Sequence, residues 1–270
     1  STLSRHIQNF EAELGCILFE RTTRKVRLSK FGEIMLPYAK RIIETQKEYT
    51  QAILQNLEDA QISITVGSIP ALGQYNITEV LAEFKKLNPR FTIQVIEAES
   101  NVLIDLLRQR ECDFAFVREA DGYDTGNEFA KVPYATDNLV AILPASHPLS
   151  KSESLSLLEL HNESFILLPQ DTLMYRLCVE ACKKAGFDPR VIFTSYRGEN
   201  IISMVETGAG VSLLMKKPVV HLTQYKVVFI DIIPRIYTHI SLYYRKGTKL
   251  SPAEELFLKC AKSLRSLDYS

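Results

Sequence analysis

The chain has 270 residues, 46% of them apolar and 24% charged, with 11 Gly and 11 Pro. That composition belongs to a globular protein of about two domains and excludes disordered and collagen-like classes. Lys and Arg number 32 against 32 Asp and Glu, so this is not a chain that coats nucleic acid along its whole length, although a small basic module on a neutral body stays open. No stretch approaches the roughly 18 consecutive apolar residues of a membrane span and no export signal opens the sequence. A cytoplasmic protein away from membranes is expected, with its five cysteines as reduced thiols.

The sequence opens at Ser1-Thr2-Leu3-Ser4-Arg5, already inside a helical pattern, so the front of a first domain is expected to be missing. Leu3, Ile7, Phe10 and Leu14 recur at helical spacing and predict an amphipathic helix that Gly15 closes. Ile17 to Arg21 and the basic, β-branched Thr22 to Leu28 then read as a tight two-stranded wing. Ser29 is a good N-cap for a helix from Lys30 to about Glu58. Its apolar positions are Leu36, Ala39, Ile43, Ile53 and Leu57, and Pro37 falls where it can kink the helix or mark a restart.

At Ile62 the pattern changes to an alternating β-branched strand, which sets a domain boundary near residue 60. Helices are predicted at 76–87, 101–110, 156–160, 175–185, 200–207 and 252–267. Strands are predicted at 62–68, 91–98, 112–117, 138–144, 165–168, 191–194, 211–215 and 240–245. Such strand and helix alternation predicts an α/β body with a parallel sheet.

The spaced set Leu3-Ser4-Arg5-His6-Ile7, Phe10-Glu11, Glu13-Leu14-Gly15, Leu18-Phe19-Glu20-Arg21, Arg24, Val26-Arg27-Leu28-Ser29 and Gly32 resembles the winged helix-turn-helix of LysR-type transcriptional regulators. The likeness continues through Leu143-Pro144, His147-Pro148-Leu149, Ile201 to Val205 and Gly208-Ala209-Gly210-Val211, so that it covers nearly the whole chain. The resemblance implies a partial winged helix-turn-helix DNA-binding domain at 1–30 and a linker and dimerisation helix at 31–60. It implies a two-subdomain effector-binding domain of the type II periplasmic-binding-protein fold at 61–270. Subdomain I would comprise 61–134 and 238–270, and subdomain II 135–237, with a small-molecule cleft between them and a homodimer or homotetramer as the assembly. A complete head of this kind has two further helices before the one that opens this chain.

Reading double-stranded DNA needs hydroxyls and Arg at one end of a helix and cations on a wing. Ser1, Thr2, Ser4 and Arg5 supply the first, and Arg24, Lys25 and Arg27 the second. The first 30 residues hold six Lys/Arg against three Glu. A solvated basic turn is the plain alternative, as an amphipathic helix serving only its own domain is for residues 31–60.

Ligands of open α/β sheets bind beyond the carboxyl ends of strands. That points to Ser68, Ile69 and Pro70 after the first strand of the body, Ser100 and Asn101 after the second, and Ser195 and Tyr196 facing them. Ser100 can equally cap the following helix. Arg118, expected just after a strand, can hold a carboxylate in bidentate fashion, making an anionic effector the expectation, or can pair with Glu119 or Asp121. Glu97 and Glu99 are expected on one face of a strand. Cys178 and Cys182, four apart on a helix, have a spacing that can ligate a metal or sense an oxidant, or can lie buried. The peroxide-sensing branch of the family carries one cysteine near Cys182, but Thr172-Leu173 stands where its partner would lie, which argues against a sensor of that type. His147 reads as a turn residue.

No nucleophile elbow, phosphate loop or metal-ligand spacing is found, so no cofactor and no enzyme is expected. The alternative is an enzyme or solute-binding protein using the same cleft.

Overall fold

The computed structural model describes residues 2–21, 26–56, 63–120, 122, 125–247 and 249–264. They form two compact units, Ser1–Ala60 and Gln61–Ser270.

In the first unit, helix α1 (Thr2–Leu14) ends at Gly15, whose φ of 69° is open to a residue without a Cβ. Strands β1 (Phe19–Arg21) and β2 (Val26–Leu28) then pair antiparallel as the predicted wing. The Glu11 carboxylate pins the helix to the wing by accepting the backbone N–H groups of Leu18 (2.7 Å) and Phe19 (3.0 Å). Helix α2 (Lys30–Asn56) runs unbroken through Pro37. Ser29 caps it, accepting the Gly32 N–H at 3.1 Å and donating to the Ile17 carbonyl at 2.5 Å. A Cβ on Gly32 would lie 2.2 Å from the Leu18 carbonyl oxygen, so only glycine lets α2 pack this closely on the turn before the wing.

The second unit begins with strand β3 (Ser63–Ser68), a 3-10 turn (Gly73–Tyr75), α3 (Ile77–Leu87), β4 (Thr92–Glu97), α4 (Ser100–Gln109) and β5 (Phe114–Glu119). Next come the 16-residue β6 (Phe129–Pro144), β7 (Ser154–Leu155), a 3-10 turn capped by Ser156 and Glu159, β8 (Ser164–Leu167) and α5 (Leu173–Lys184). The chain closes with β9 (Arg190–Thr194), α6 (Gly198–Glu206), β10 (Ser212–Met215), α7 (Lys216–Val219), β11 (Val227–Ile232), β12 (Tyr237–Arg245) and α8 (Pro252–Leu264).

The main sheet has the order β4-β3-β5-β12-β6-β11-β7, with β10 also paired to β6. Only part of it is parallel: β3 pairs parallel with β4 and β5, whereas β12 runs antiparallel to both β5 and β6. The purely parallel expectation is corrected here, because β12 returns from the far end of the chain to lie between β5 and β6. Residues 129–138 of β6 pair with β12, while residues 139–144 pair with β10 and β11. One strand thus serves two halves, and its partners change at Asn138/Leu139.

In the first half Phe84, Phe114 and Phe257 form a buried aromatic cluster, with centroids 4.9–5.3 Å apart, that locks α3 and α8 to one face of the sheet. In the second half one apolar core joins Leu139, Leu143, Phe165, Cys178, Cys182 and Leu213, and another joins Val140, Ile142, Ile166, Ile201 and Val205.

Candidate effector cleft and nucleic-acid surface

Ser68 ends β3 fully buried and donates from its hydroxyl to the Ile69 carbonyl at 3.1 Å; Ile69 is buried too, and only Pro70 of this trio is exposed. Glu97 closes β4, but Glu99 lies outside the strand as the N-cap position of α4, so the expected shared strand face does not exist. Ser100 is the first helical residue rather than the cap. Its buried hydroxyl accepts the Arg118 N–H at 3.1 Å and so ties α4 to β5. Asn101 is exposed.

Arg118 departs most from expectation. It lies within β5 rather than after it, with 6% of its surface exposed. Its guanidinium donates from Nη1 to Thr238 Oγ1 and from Nη2 to the Tyr75 hydroxyl, both at 2.7 Å, and stacks 5.0 Å from the Tyr75 ring centroid. Of the two expected acids, Glu119 takes Lys131 instead, at 2.5 Å, and Asp121 lies outside the described residues. Tyr75 donates in turn to Asp137 Oδ2 at 2.6 Å, and Asp137 also accepts the backbone N–H groups of Asn138 (2.9 Å) and Lys217 (3.1 and 3.2 Å). Burial drives the Tyr75 phenol well above its ordinary range, which keeps it neutral and able to donate.

On the other side of the strand ends, Ser195 is half-buried and accepts from Arg197 N–H (3.2 Å) and Asn200 Nδ2 (3.3 Å). Tyr196 is exposed and donates to Asp171 Oδ2 at 2.6 Å, a bond that raises its phenol above the usual value. The two sides meet through Glu99. Burial raises its carboxyl, while the Leu173 backbone N–H at the start of α5 lowers it, with Asp171 adding repulsion and Arg118 and Arg176 attraction. Tyr75, Asp137, Thr238, Asp171 and Arg176 were not legible as site residues. Asp137 and Thr238 lie on polar stretches of β6 and β12, Tyr75 in a 3-10 turn, Asp171 before α5 and Arg176 on it, and no local pattern marks any of them.

In the N-terminal unit, Ser4 is half-buried on α1, Arg5 is exposed on the same helix, and Arg27 is exposed on β2. Thr2 belongs to α1. Ser1, Arg24 and Lys25 lie outside the described residues. Along α2, Phe31, Ile34, Tyr38, Ile42, Ile43 and Tyr49 are each more than half exposed.

The bacterial regulatory helix-turn-helix model of the lysR family matches residues 1–33, and the LysR substrate binding domain model matches residues 58–265. The chain belongs to the LysR family of transcriptional regulators. It is 26% identical to the transcriptional dual regulator GltC of Bacillus subtilis over 258 residues, which is 95% of this chain and 85% of that protein. The effector binding domain of QuiR in complex with shikimate superposes with a TM-score of 0.66 at 20% identity, covering 76% of this chain and 98% of that one. Full-length CbnR complexed with its target DNA gives a TM-score of 0.61 at 19% identity, covering 97% of this chain and 89% of that one.

Within this LysR-family regulator the cysteine pair on α5 is a packing element. Cys178 and Cys182 are both buried in the core of the second half. Burial pushes the Cys182 thiol up to about 12 and the Cys178 thiol higher still, so neither is a thiolate at neutral pH. Iodoacetamide is therefore expected to leave both unmodified in the native protein and to label them once denaturant is added, as peptide mass spectrometry would show. Native labelling of either would contradict their burial. Among the described residues no group of three or more His, Cys, Asp or Glu is placed to hold a metal, and no helix is long and apolar enough to cross a membrane. His147 acts in a turn: its Nδ1 accepts the Leu149 N–H at 3.1 Å and its Nε2 faces Glu163 at 3.2 Å.

Proposed function

We propose that this regulator reads double-stranded DNA with α1 and the wing, pairs with a second copy through α2, and changes its DNA engagement when a small-molecule effector enters the cleft of residues 61–270. The observation that carries the reading is the wing itself: a Gly-closed helix with exposed Arg5 beside a two-stranded ribbon with exposed Arg27. The CbnR complex, which holds target DNA, supports DNA binding by a head of this fold, and the residues assigned to it are Ser1, Thr2, Ser4, Arg5, Arg24, Lys25 and Arg27. The exposed apolar stripe on α2, at helical spacing, supports pairing as a homodimer that can build a tetramer, and DNA half-sites read by a two-fold protein require such a dimer. The regulator works in the cytoplasm, where its DNA is.

For the cleft, subdomain I is 61–134 with 238–270 and subdomain II is 135–237, and the effector lies among Ser68, Ile69, Pro70, Ser100, Asn101, Ser195 and Tyr196. QuiR, which holds shikimate in its effector domain, supports a small organic ligand. An anion is the finer reading. Its support now lies at the start of α5, where the Leu173 N–H already faces the Glu99 carboxylate near Arg176, rather than at Arg118, whose guanidinium serves Tyr75 and Thr238. A thermal-shift panel of small carboxylic acids tests it. An acid of this cleft raises the Tm of the parent protein and raises it less in Arg176→Ala; equal shifts in both would exclude that site.

At the DNA end, Arg5→Ala is expected to cost about 1–3 kcal/mol on the operator and to relax its sequence preference. Lys25→Ala is expected to weaken operator and random DNA alike and to lower the salt slope by about 1. Titrations of both variants across ionic strength separate the roles, and equal losses for Arg5→Ala on operator and random DNA would refute its part in base readout.

A further inference from the structure

Four buried side chains lie where the two halves of the effector domain join. Arg118 comes from β5, Tyr75 from the 3-10 turn after β3, and Asp137 and Thr238 from the strands β6 and β12, which pair with each other at these two residues. Arg118, Thr238 and Asp137 project from the same face of three adjacent strands, and Tyr75 caps them. From the second half, Lys217 at the start of α7 donates its backbone N–H to Asp137, and Met215 at the end of β10 accepts the Thr238 hydroxyl at 3.1 Å. The Tyr75 oxygen both accepts from Arg118 and donates to Asp137, so a buried cation and a buried anion are joined through one neutral hydroxyl.

We propose that Tyr75, Arg118, Asp137 and Thr238 form a hinge lock that holds the two halves at a defined angle, with the Tyr75 hydroxyl as its central link. Asp137 precedes by two residues the point at which β6 changes partners, and both bonds to the second half leave from the crossing strands. A change of angle therefore has to break or re-form bonds whose groups have no water to replace them. The lock goes beyond the effector reading, needing neither DNA nor a ligand to exist, so its test is separate from that of the cleft.

The test uses the full chain with Cys16→Ser, spin labels at Val102→Cys on α4 and Glu180→Cys on α5, and excess unlabelled protein to suppress distances between copies. Val102 and Glu180 are exposed, and they lie on helices of the two different halves. Tyr75→Phe is expected to broaden the electron–electron distance distribution and displace its mean, with circular dichroism unchanged. Tyr134→Phe, which removes a hydroxyl bond to the Asn76 carbonyl (3.1 Å) within the first half, is expected to leave the distribution as in the parent. Thr238→Val removes the second acceptor of the guanidinium and is expected to broaden the distribution as well, which keeps the test in force if Tyr75→Phe does not fold. Parent-like distributions in both Tyr75→Phe and Thr238→Val, or equal broadening in Tyr134→Phe, would overturn the lock.

Discussion

Asp137→Ala is expected to lower the unfolding free energy of the effector domain by about 3 kcal/mol, measured by urea titration of the full chain. Asp137 is 4% exposed and accepts from one hydroxyl and two backbone N–H groups. Alanine would leave the Lys217 N–H without its acceptor and the buried Arg118 cation without the anion that Tyr75 links to it. Asp137→Asn keeps an acceptor oxygen for Lys217 and loses the charge, so its loss should be smaller. A fall of less than about 1 kcal/mol for Asp137→Ala would mean that the guanidinium is balanced elsewhere.

Gly210→Ala is expected to be nearly as costly, by about 2–3 kcal/mol, through overpacking rather than lost charge. A Cβ at position 210 would meet the Ser164 backbone oxygen at 2.3 Å and its carbonyl carbon at 3.1 Å. The same backbone carries the Val211 N–H to Ser164 (2.8 Å) and the Ile166 N–H to Val211 (2.9 Å), so β8 and the 210–211 segment cannot separate without losing those bonds. Gly198 is the control: its added Cβ would find only the Leu214 side chain at 3.9 Å, and Gly198→Ala should leave stability equal or up to about 1 kcal/mol higher. Equal stabilities for the two variants would show that the β8 edge can shift.

The features legible in the sequence are those with local causes. Gly15 ends α1 because its backbone turns left-handed there, and Ser29 starts α2 because its hydroxyl reaches an N–H three residues on. The N-terminal stretch of β6 was illegible: Lys131, Pro133, Thr136, Asp137 and Asn138 interrupt any apolar run, and this segment is a strand because β12, about 100 residues later, pairs with it. Arg118 and Glu119 end the apolar pattern of β5 two residues early for the same reason, since their partners, Tyr75, Thr238 and Lys131, are brought in by the tertiary fold. β11 is absent from the predicted strands although Val227 to Ile230 is an apolar, largely β-branched run of the kind that marks one. The residues proposed for the cleft are read from the sequence only as positions near strand ends, and their partners are not legible: Ser100 reads as a cap and is instead an acceptor for Arg118, which depends on a register that no local pattern reveals.

On the proposed function, a basic, wing-bearing head on an effector-binding body makes a sequence-specific DNA regulator. Enrichment of genomic fragments by the full-length protein, followed by footprinting of the enriched fragments, tests it most directly. Two protected half-sites separated by a whole number of helical turns, about 10 bp each, are expected, with enrichment reduced in Arg5→Ala. Fragments no more enriched than random sequence, or protection without discrete half-sites, would contradict it.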